Sequence, residues 1–134
     1  MEKHIPYAVR TGRKEDFKVR YNFIKKENGE LYQRPFQGMR CDFGYEEDDI
    51  AQTGIYMIWP EFENIQGEVI VDPDEVISLS GIARMWIVNQ ELKINLHIHK
   101  LKIGKKGYFI RGSMKIAEAE IVEIAGMNQS MLCL

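Results

Sequence analysis

The amino-acid sequence predicts an all-β protein, either an antiparallel barrel or a sandwich, and three observations lead to this fold class. Short apolar segments recur at a spacing of roughly ten residues, with glycine-rich turns between them. In Phe17–Phe23 the odd positions are apolar and the even positions are polar, which is the period of two of a half-buried strand. No segment places apolar residues at i, i+3, i+4 and i+7 through three capped helical turns.

Further strands are predicted in chain order, each bounded by turn residues. After the first strand, Asn28 and Gly29 favour the positive φ angles of a tight turn, and Pro60 is expected to end a later strand. Residues 92–103 alternate between apolar and polar, with a phase slip at Lys100 that suggests a bulge. The other predicted strands cover residues 39–45, 54–59, 67–71, 82–88, 108–110 and 115–124.

Length and composition are those of one soluble globular domain. With 134 residues, 45% of them hydrophobic and 28% charged, the chain can bury a core and is unlike a disordered one. The N-terminus lacks the apolar stretch of a secretory signal, and Cys41 and Cys133 are expected to be reduced thiols. We therefore expect a cytoplasmic protein with an N-terminal extension (1–15), one domain (16–125) and a C-terminal tail (126–134).

Charge is segregated along the chain. Residues 1–41 contain ten Lys or Arg and five Asp or Glu, and residues 76–134 contain eight and four. Residues 42–75 contain eleven Asp or Glu and neither Lys nor Arg. Such a segment predicts an acidic face, which attracts basic proteins and repels nucleic acid. The residues predicted to contact a partner are Glu46, Glu47, Asp48 and Asp49.

A motif near the first turn resembles one in the third, C-terminal domain of elongation factor Tu. That family has Pro-Phe-x-Gly-Tyr-Arg-Pro-x-Phe, followed by an acidic or polar loop and Thr-Gly. The matching residues here are Pro35, Phe36, Gly38, Arg40 and Phe43, with Thr53 and Gly54 further on, while Met39 and Cys41 replace the family's Tyr and second Pro. Residues 80–85, 107–113 and 116–124 also resemble family segments, so that the likeness extends over residues 16–124.

The resemblance implies a closed, six-stranded antiparallel Greek-key barrel with an insertion around residues 56–76. It also implies that Pro35, Gly38 and Arg40 are structural residues, with the Arg40 guanidinium binding several carbonyls. Together with the alternation, the family register predicts which side chains point inward. These residues are Phe17, Val19, Tyr21, Phe23, Phe43, Ile55, Met85, Ile87, Phe109, Ala119 and Ile121.

In the family this domain packs on the GTPase domain and helps to hold the tRNA backbone. The positions that carry over as RNA contacts are Thr53, Lys100 and Gly112. A family glutamine falls on Asp42, whose carboxylate would repel a phosphate, so the acidic segment makes RNA the less favoured ligand. A translation-associated tRNA-binding protein therefore remains the alternative function.

Chemistry-bearing motifs are few, so we expect no enzyme, no cofactor and no metal. The sequence has no Gly-x-x-x-x-Gly-Lys-[Ser/Thr], and therefore no GTP binding is expected. His97 and His99 would share one face of a strand, and a small zinc enzyme at this pair is a third hypothesis. Glu118 and Glu120 also share a strand face and are interpreted as surface charge. The preferred hypothesis is a non-catalytic module that binds a basic protein through its acidic face.

Overall fold

The computed structural model describes residues 2–48 and 55–125, which form an antiparallel sheet with short helices beside it. Helix α1 (Tyr7–Thr11) precedes strand β1 (Phe17–Phe23). The later strands are β2 (Asp42–Tyr45), β3 (Ile58–Phe62), β4 (Ser80–Ile87), β5 (Lys106–Arg111) and β6 (Met114–Ile124). Between β4 and β5 lies the helical segment 90–100, whose parts are Gln90–Leu92, the π-helical Lys93–His97 and Ile98–Lys100.

The six strands form one sheet in the order β2-β5-β6-β1-β4-β3, and every neighbouring pair is antiparallel. The first strand therefore lies at the centre, with β6 on one side and β4 on the other. A bulge between Lys18 and Val19 shifts the register of β1 against β6, and another between Phe109 and Ile110 shifts that of β5 against β6. Such bulges increase local twist, which helps the sheet to curve around its inner face.

The sheet curves into an open half-barrel, so the prediction of a closed barrel is wrong for the described residues. At the open side, one isolated bridge joins Phe43 of the edge strand β2 to Tyr56, which lies two residues before the other edge strand, β3. At the C-terminal end of β3, the Gln37 side chain occupies the edge of the strand. Its Nε2 donates to the carbonyls of Phe62 (2.9 Å) and Ile70 (2.8 Å), and its Oε1 accepts from the Phe62 N–H (2.8 Å). A side-chain amide thus satisfies backbone groups that a closed barrel would pair with another strand.

The inner face of the sheet carries an aromatic core. Ten of the eleven residues predicted to point inward are buried: Phe17, Val19, Tyr21, Phe23, Phe43, Met85, Ile87, Phe109, Ala119 and Ile121. The prediction for Ile55 is wrong, because this side chain is 39% exposed. Residues 55–59 are apolar at every position, so alternation gave no indication of which face is inner. In β3 the inner residues are Ile58, Pro60 and Phe62, which lie opposite Ile87, Met85 and Ala83.

Three of the strand predictions differ from the structure. Residues 92–100 are helical, and Asn89 begins this helix because its side-chain oxygen accepts the Leu92 N–H at 3.1 Å. Pro60, expected to end a strand, lies inside β3, which is an edge strand and tolerates the missing N–H. The predicted strand 67–71 reduces to an isolated bridge between Glu63 and Val69. The segment 56–76, interpreted as an insertion, supplies β3 to the sheet.

Candidate functional site

The loop after β2 carries the acidic residues that were predicted to contact a partner. Glu46 is exposed, whereas the carboxylate of Glu47 lies 2.9 Å from the Lys105 Nζ and 3.5 Å from the Lys100 Nζ. Asp48 accepts a hydrogen bond from Lys100 at 2.5 Å. The hydrogen bond from Lys105 lowers the pKa of Glu47 from its ordinary value. These ion pairs cancel part of the negative charge that the loop offers to a partner.

The residues carried over as RNA contacts do not form a cationic site in the described part of the chain. Asp49 and Thr53 lie outside the described residues. Lys100 is engaged by carboxylates of the acidic loop, and its Nζ lies 5.2 Å from the ring centre of Tyr45. Although burial lowers the pKa of Lys100, the Asp48 carboxylate raises it above the ordinary value. Gly112 lies in the exposed turn before β6 with a φ of 63°.

Glu61 is fully buried on the outer side of β3, where the N-terminal segment covers it. One carboxylate oxygen accepts the Tyr7 N–H at 2.9 Å and lies 2.5 Å from the His4 Nε2. The other accepts the Trp86 Nε1–H at 3.1 Å. Burial, and secondly the Glu61 charge, raises the pKa of the Tyr7 hydroxyl. The carboxylate thus fastens the N-terminal segment to the sheet and is not available to a partner.

Glu63 is also removed from the acidic surface by ion pairs. Its carboxylate lies 2.8 Å from the Arg84 Nε and 2.9 Å from the Lys18 Nζ, and only 4% of its side chain is exposed. Both cations come from neighbouring strands, β4 and β1. Three carboxylates of the segment 42–75, Glu47, Asp48 and Glu63, therefore form ion pairs, and a fourth, Glu61, binds His4. Sequence reasoning missed these contacts because every partner lies outside that segment.

A second part of the acidic segment faces solvent and borders a groove of about 460 Å³, which we call the acidic groove. Its walls are residues 34–37 and 71–77, with Glu2 and His4 at one end. Asp72, Asp74 and Glu75 are exposed and make no ion pair within the described ranges. The groove also exposes apolar side chains, namely Phe36 (49%), Val71 (36%) and Val76 (83%).

The three residues predicted to be structural surround the connector that forms one groove wall. Pro35 is buried, and Gly38 has a φ of 88°, a left-handed conformation that favours glycine. The guanidinium of Arg40 lies 4.6 Å from the ring centre of Trp59. Arg40 donates to no carbonyl within the described residues, so its expected carbonyl contacts are replaced there by a cation–π contact.

The two histidines do not share a face as the sequence predicted. Because the chain is helical there, His97 points inward and is 1% exposed, whereas His99 is exposed. The Nδ1 of His97 lies 2.7 Å from the Tyr45 hydroxyl, and burial lowers the pKa of His97 to about 4. Across residues 2–48 and 55–125, no cluster of three metal-ligating side chains is found.

A buried polar cluster joins the helical segment 90–100 to the sheet. Asp16 is fully buried, and its carboxylate lies 2.7 Å from the Lys93 Nζ and accepts from Arg13 at 3.0 and 3.2 Å. It also accepts the Ile87 N–H at 2.7 Å. No local sequence pattern indicates this cluster, because Asp16 and Ile87 are 71 positions apart.

Glu118 and Glu120 share the outer face of β6 and line a groove of about 470 Å³. Glu120 lies between Arg20 of β1 and Lys106 of β5 in the strand register. Opposite charges on neighbouring strands stabilise a sheet, so the arrangement is in keeping with the interpretation of these glutamates as surface charge.

No protein-family model and no curated protein sequence matches this chain. Among the described residues, none of the helices has both the length and the apolar character needed to cross a bilayer. The class of protein that these observations define is an all-β protein built on a six-stranded antiparallel sheet.

Proposed function

We propose that this protein is a non-catalytic, cytosolic binding module that holds a basic segment of a protein partner in the acidic groove. The observation that carries the proposal is the combination of exposed apolar side chains with exposed carboxylates at one groove. Phe36 and Val76 would bury apolar surface on binding, which supplies affinity. Asp72, Asp74 and Glu75 would attract a basic segment and fix its orientation.

RNA is the less favoured ligand of this groove. A phosphate backbone needs several Lys or Arg side chains for affinity, and the groove has one such residue, Arg34, beside four carboxylates. Of the RNA contacts implied by the family resemblance, Lys100 is already engaged by Glu47 and Asp48. tRNA binding is therefore the alternative function, and the experiment below distinguishes it from peptide binding.

The same proposal includes a relationship to the third domain of elongation factor Tu, here as a stand-alone module. It is supported by the order and spacing of Pro35, Phe36, Gly38, Arg40 and Phe43. Six antiparallel strands are also in keeping with it. Closure into the family's barrel would need continuous pairing of β2 with β3, whereas in the described residues one bridge joins Phe43 of β2 to Tyr56, which precedes β3.

The proposal is tested with a short fluorescein-labelled peptide of alternating lysine and leucine, whose anisotropy is measured at increasing salt. The variant Asp72→Asn, Asp74→Asn, Glu75→Gln keeps side-chain size and removes three charges. We expect it to weaken binding roughly tenfold, since exposed charge pairs contribute little individually but act together here. Wild-type binding should also weaken as salt increases.

The matched control is a triple variant with the same change of charge at exposed positions outside the groove, Glu27→Gln, Glu30→Gln, Glu91→Gln. Its peptide affinity should equal that of the wild type. A second variant changes four residues of the acidic loop to Ser: Glu46, Glu47, Asp48 and Asp49. We expect it to weaken peptide binding less than the groove variant does, because Glu47 and Asp48 are ion-paired. Equal affinity of the groove variant and the control would refute the proposal. Tight tRNA binding by the wild type at physiological salt would favour the alternative.

A further inference from the structure

A second surface lies on the outer face of β3 and β4, and we call it the arginine–tryptophan face. Trp59 and Trp86 lie opposite each other in the two strands. The Arg40 guanidinium lies 4.6 Å from the ring centre of Trp59, and the Arg13 guanidinium lies 5.1 Å from that of Trp86. Tyr7 of α1 contacts Trp86 edge to face, with ring centres 5.8 Å apart. Tryptophan, tyrosine and arginine are the residues most enriched in the energetic centres of protein interfaces.

Exposed aliphatic side chains continue this face beyond the tryptophans. Met57 and Val88 extend the two strands, because the Val88 N–H donates to the Met57 carbonyl at 3.1 Å. Met57 is 54% exposed, Val88 is 38% exposed, and Ile55 precedes them with 39% exposure. Neighbouring exposed apolar residues beside ordered aromatic rings are typical of a contact surface.

The charge of this face is positive, although its β3 residues belong to the acidic segment 42–75. Arg10 and Arg40 are exposed, and neither forms an ion pair within residues 2–48 and 55–125. Arg10 follows Tyr7 by three positions in α1, which places both on one side of the helix. Tyr7 contacts Trp86, and Arg40 lies over Trp59. The carboxylate of Glu61, on the same side of β3, is fully buried and already bound by His4, Tyr7 and Trp86.

We propose that the arginine–tryptophan face binds an acidic, apolar segment of a protein partner. Aliphatic side chains of that segment would pack on Met57 and Val88, and its carboxylates would bind Arg10 and Arg40. A guanidinium suits this role because its planar group binds a carboxylate through two parallel hydrogen bonds. This surface is distinct from the acidic groove, so the protein would present two faces of opposite charge to two kinds of partner.

Single-stranded RNA fits this face less well than an acidic peptide. Its bases need a free aromatic ring to stack on, but Trp86 is 3% exposed and Arg40 lies over the Trp59 ring. An anionic membrane also fits less well, since insertion needs aromatic or aliphatic side chains that protrude from the surface. Here Met57 and Val88 lie within or beside the sheet and are only about half exposed.

Both tryptophans of the chain lie on this face, so intrinsic fluorescence reports on it directly. The probe is a short peptide of alternating glutamate and leucine, titrated into the wild type and followed by tryptophan fluorescence and by the anisotropy of a labelled copy. We expect a saturable change that weakens with salt. Arg10→Gln with Arg40→Gln should reduce affinity roughly tenfold. Met57→Ser, which leaves the charge unchanged, should also reduce it.

The control has the same loss of charge at exposed positions elsewhere on the sheet, Arg20→Gln with Arg111→Gln, and should bind the peptide as the wild type does. The neutralised acidic groove should also leave this peptide's affinity unchanged, which separates this proposal from the previous one. Circular dichroism checks that each variant is folded. The proposal is overturned if the Arg10/Arg40 variant and the control bind equally. It is also overturned by stronger binding to oligouridylate or to phosphatidylserine vesicles, or by occupation of the face through self-association.

Discussion

Acidification should destabilise this protein through one buried imidazole. His97 is 1% exposed and lies 2.7 Å from the Tyr45 hydroxyl through its Nδ1. Burial lowers the pKa of His97 from 6.5 to about 4, with the Asp16 carboxylate opposing this shift and the Lys100 ammonium adding to it. The folded protein therefore holds this imidazole neutral at pH values where the unfolded chain has already bound a proton.

The direction of the effect follows from proton binding in the two states. Between the unfolded pKa of 6.5 and the folded value of about 4, the unfolded chain binds more protons, so the free energy of unfolding falls as the pH falls. At about 1.4 kcal/mol per pKa unit, the protein should lose about 3 kcal/mol through His97 between pH 7 and pH 4. A loss of that size is a large fraction of the stability of a small domain.

The assay is urea unfolding followed by tryptophan fluorescence at a series of pH values between about 7 and about 4. His97→Gln removes the titrating group, and His99→Gln changes the same residue type at an exposed position two residues away. The His99 variant should follow the wild-type pH dependence. The difference between the wild type and the His97 variant should fall by about 1.4 kcal/mol per pH unit within this window. Parallel pH profiles for all three proteins would refute the reasoning.

Further predictions concern the sheet and nucleotide binding. Gln37→Ala removes three hydrogen bonds at the β3 edge and should lower the free energy of unfolding by about 2 to 3 kcal/mol. The control Gln33→Ala should change it by about 0.5 kcal/mol, and equal urea midpoints would contradict this. A Cβ on Gly107 would lie 2.7 Å from a backbone carbonyl oxygen, so Gly107→Ala should cost about 2 to 3 kcal/mol. The control is Gly81→Ala, where the added Cβ would lie 3.3 Å from its nearest atom, in the Tyr21 side chain. A lower thermal stability of Gly81→Ala than of Gly107→Ala would contradict the packing argument. Calorimetry should detect no GTP binding, because the phosphate-binding loop is absent from the sequence, and micromolar affinity would refute this.

The strands at the centre of the sheet could be predicted from the sequence because their signal is local. In β1 the side chains of Phe17, Val19, Tyr21 and Phe23 alternate with polar ones, and all four are buried. Alternation fails where both faces are covered, as at Ile55, whose neighbours are also apolar. Alternation also fails in residues 92–98. Apolar and polar residues alternate there as they would in a strand, although the segment is helical and buries Lys93 and His97. The Asn89 cap is the local signal for this helix, whose apolar residues do not follow the i, i+3, i+4, i+7 pattern.

The sequence by itself determined the all-β class, the inner face of the central strands and the excess of carboxylates in residues 42–75. Only the tertiary structure decided which of these carboxylates remain free. Glu61 contacts His4, which is 57 positions away in the chain, and Asp48 binds Lys100, which is 52 positions away. Ion pairing depends on distances of a few ångströms between groups far apart in the chain, whereas composition records only how many charges there are. The acidic groove and the arginine–tryptophan face therefore form only when folding brings strands β3 and β4, the connector residues 34–40 and the N-terminal segment together.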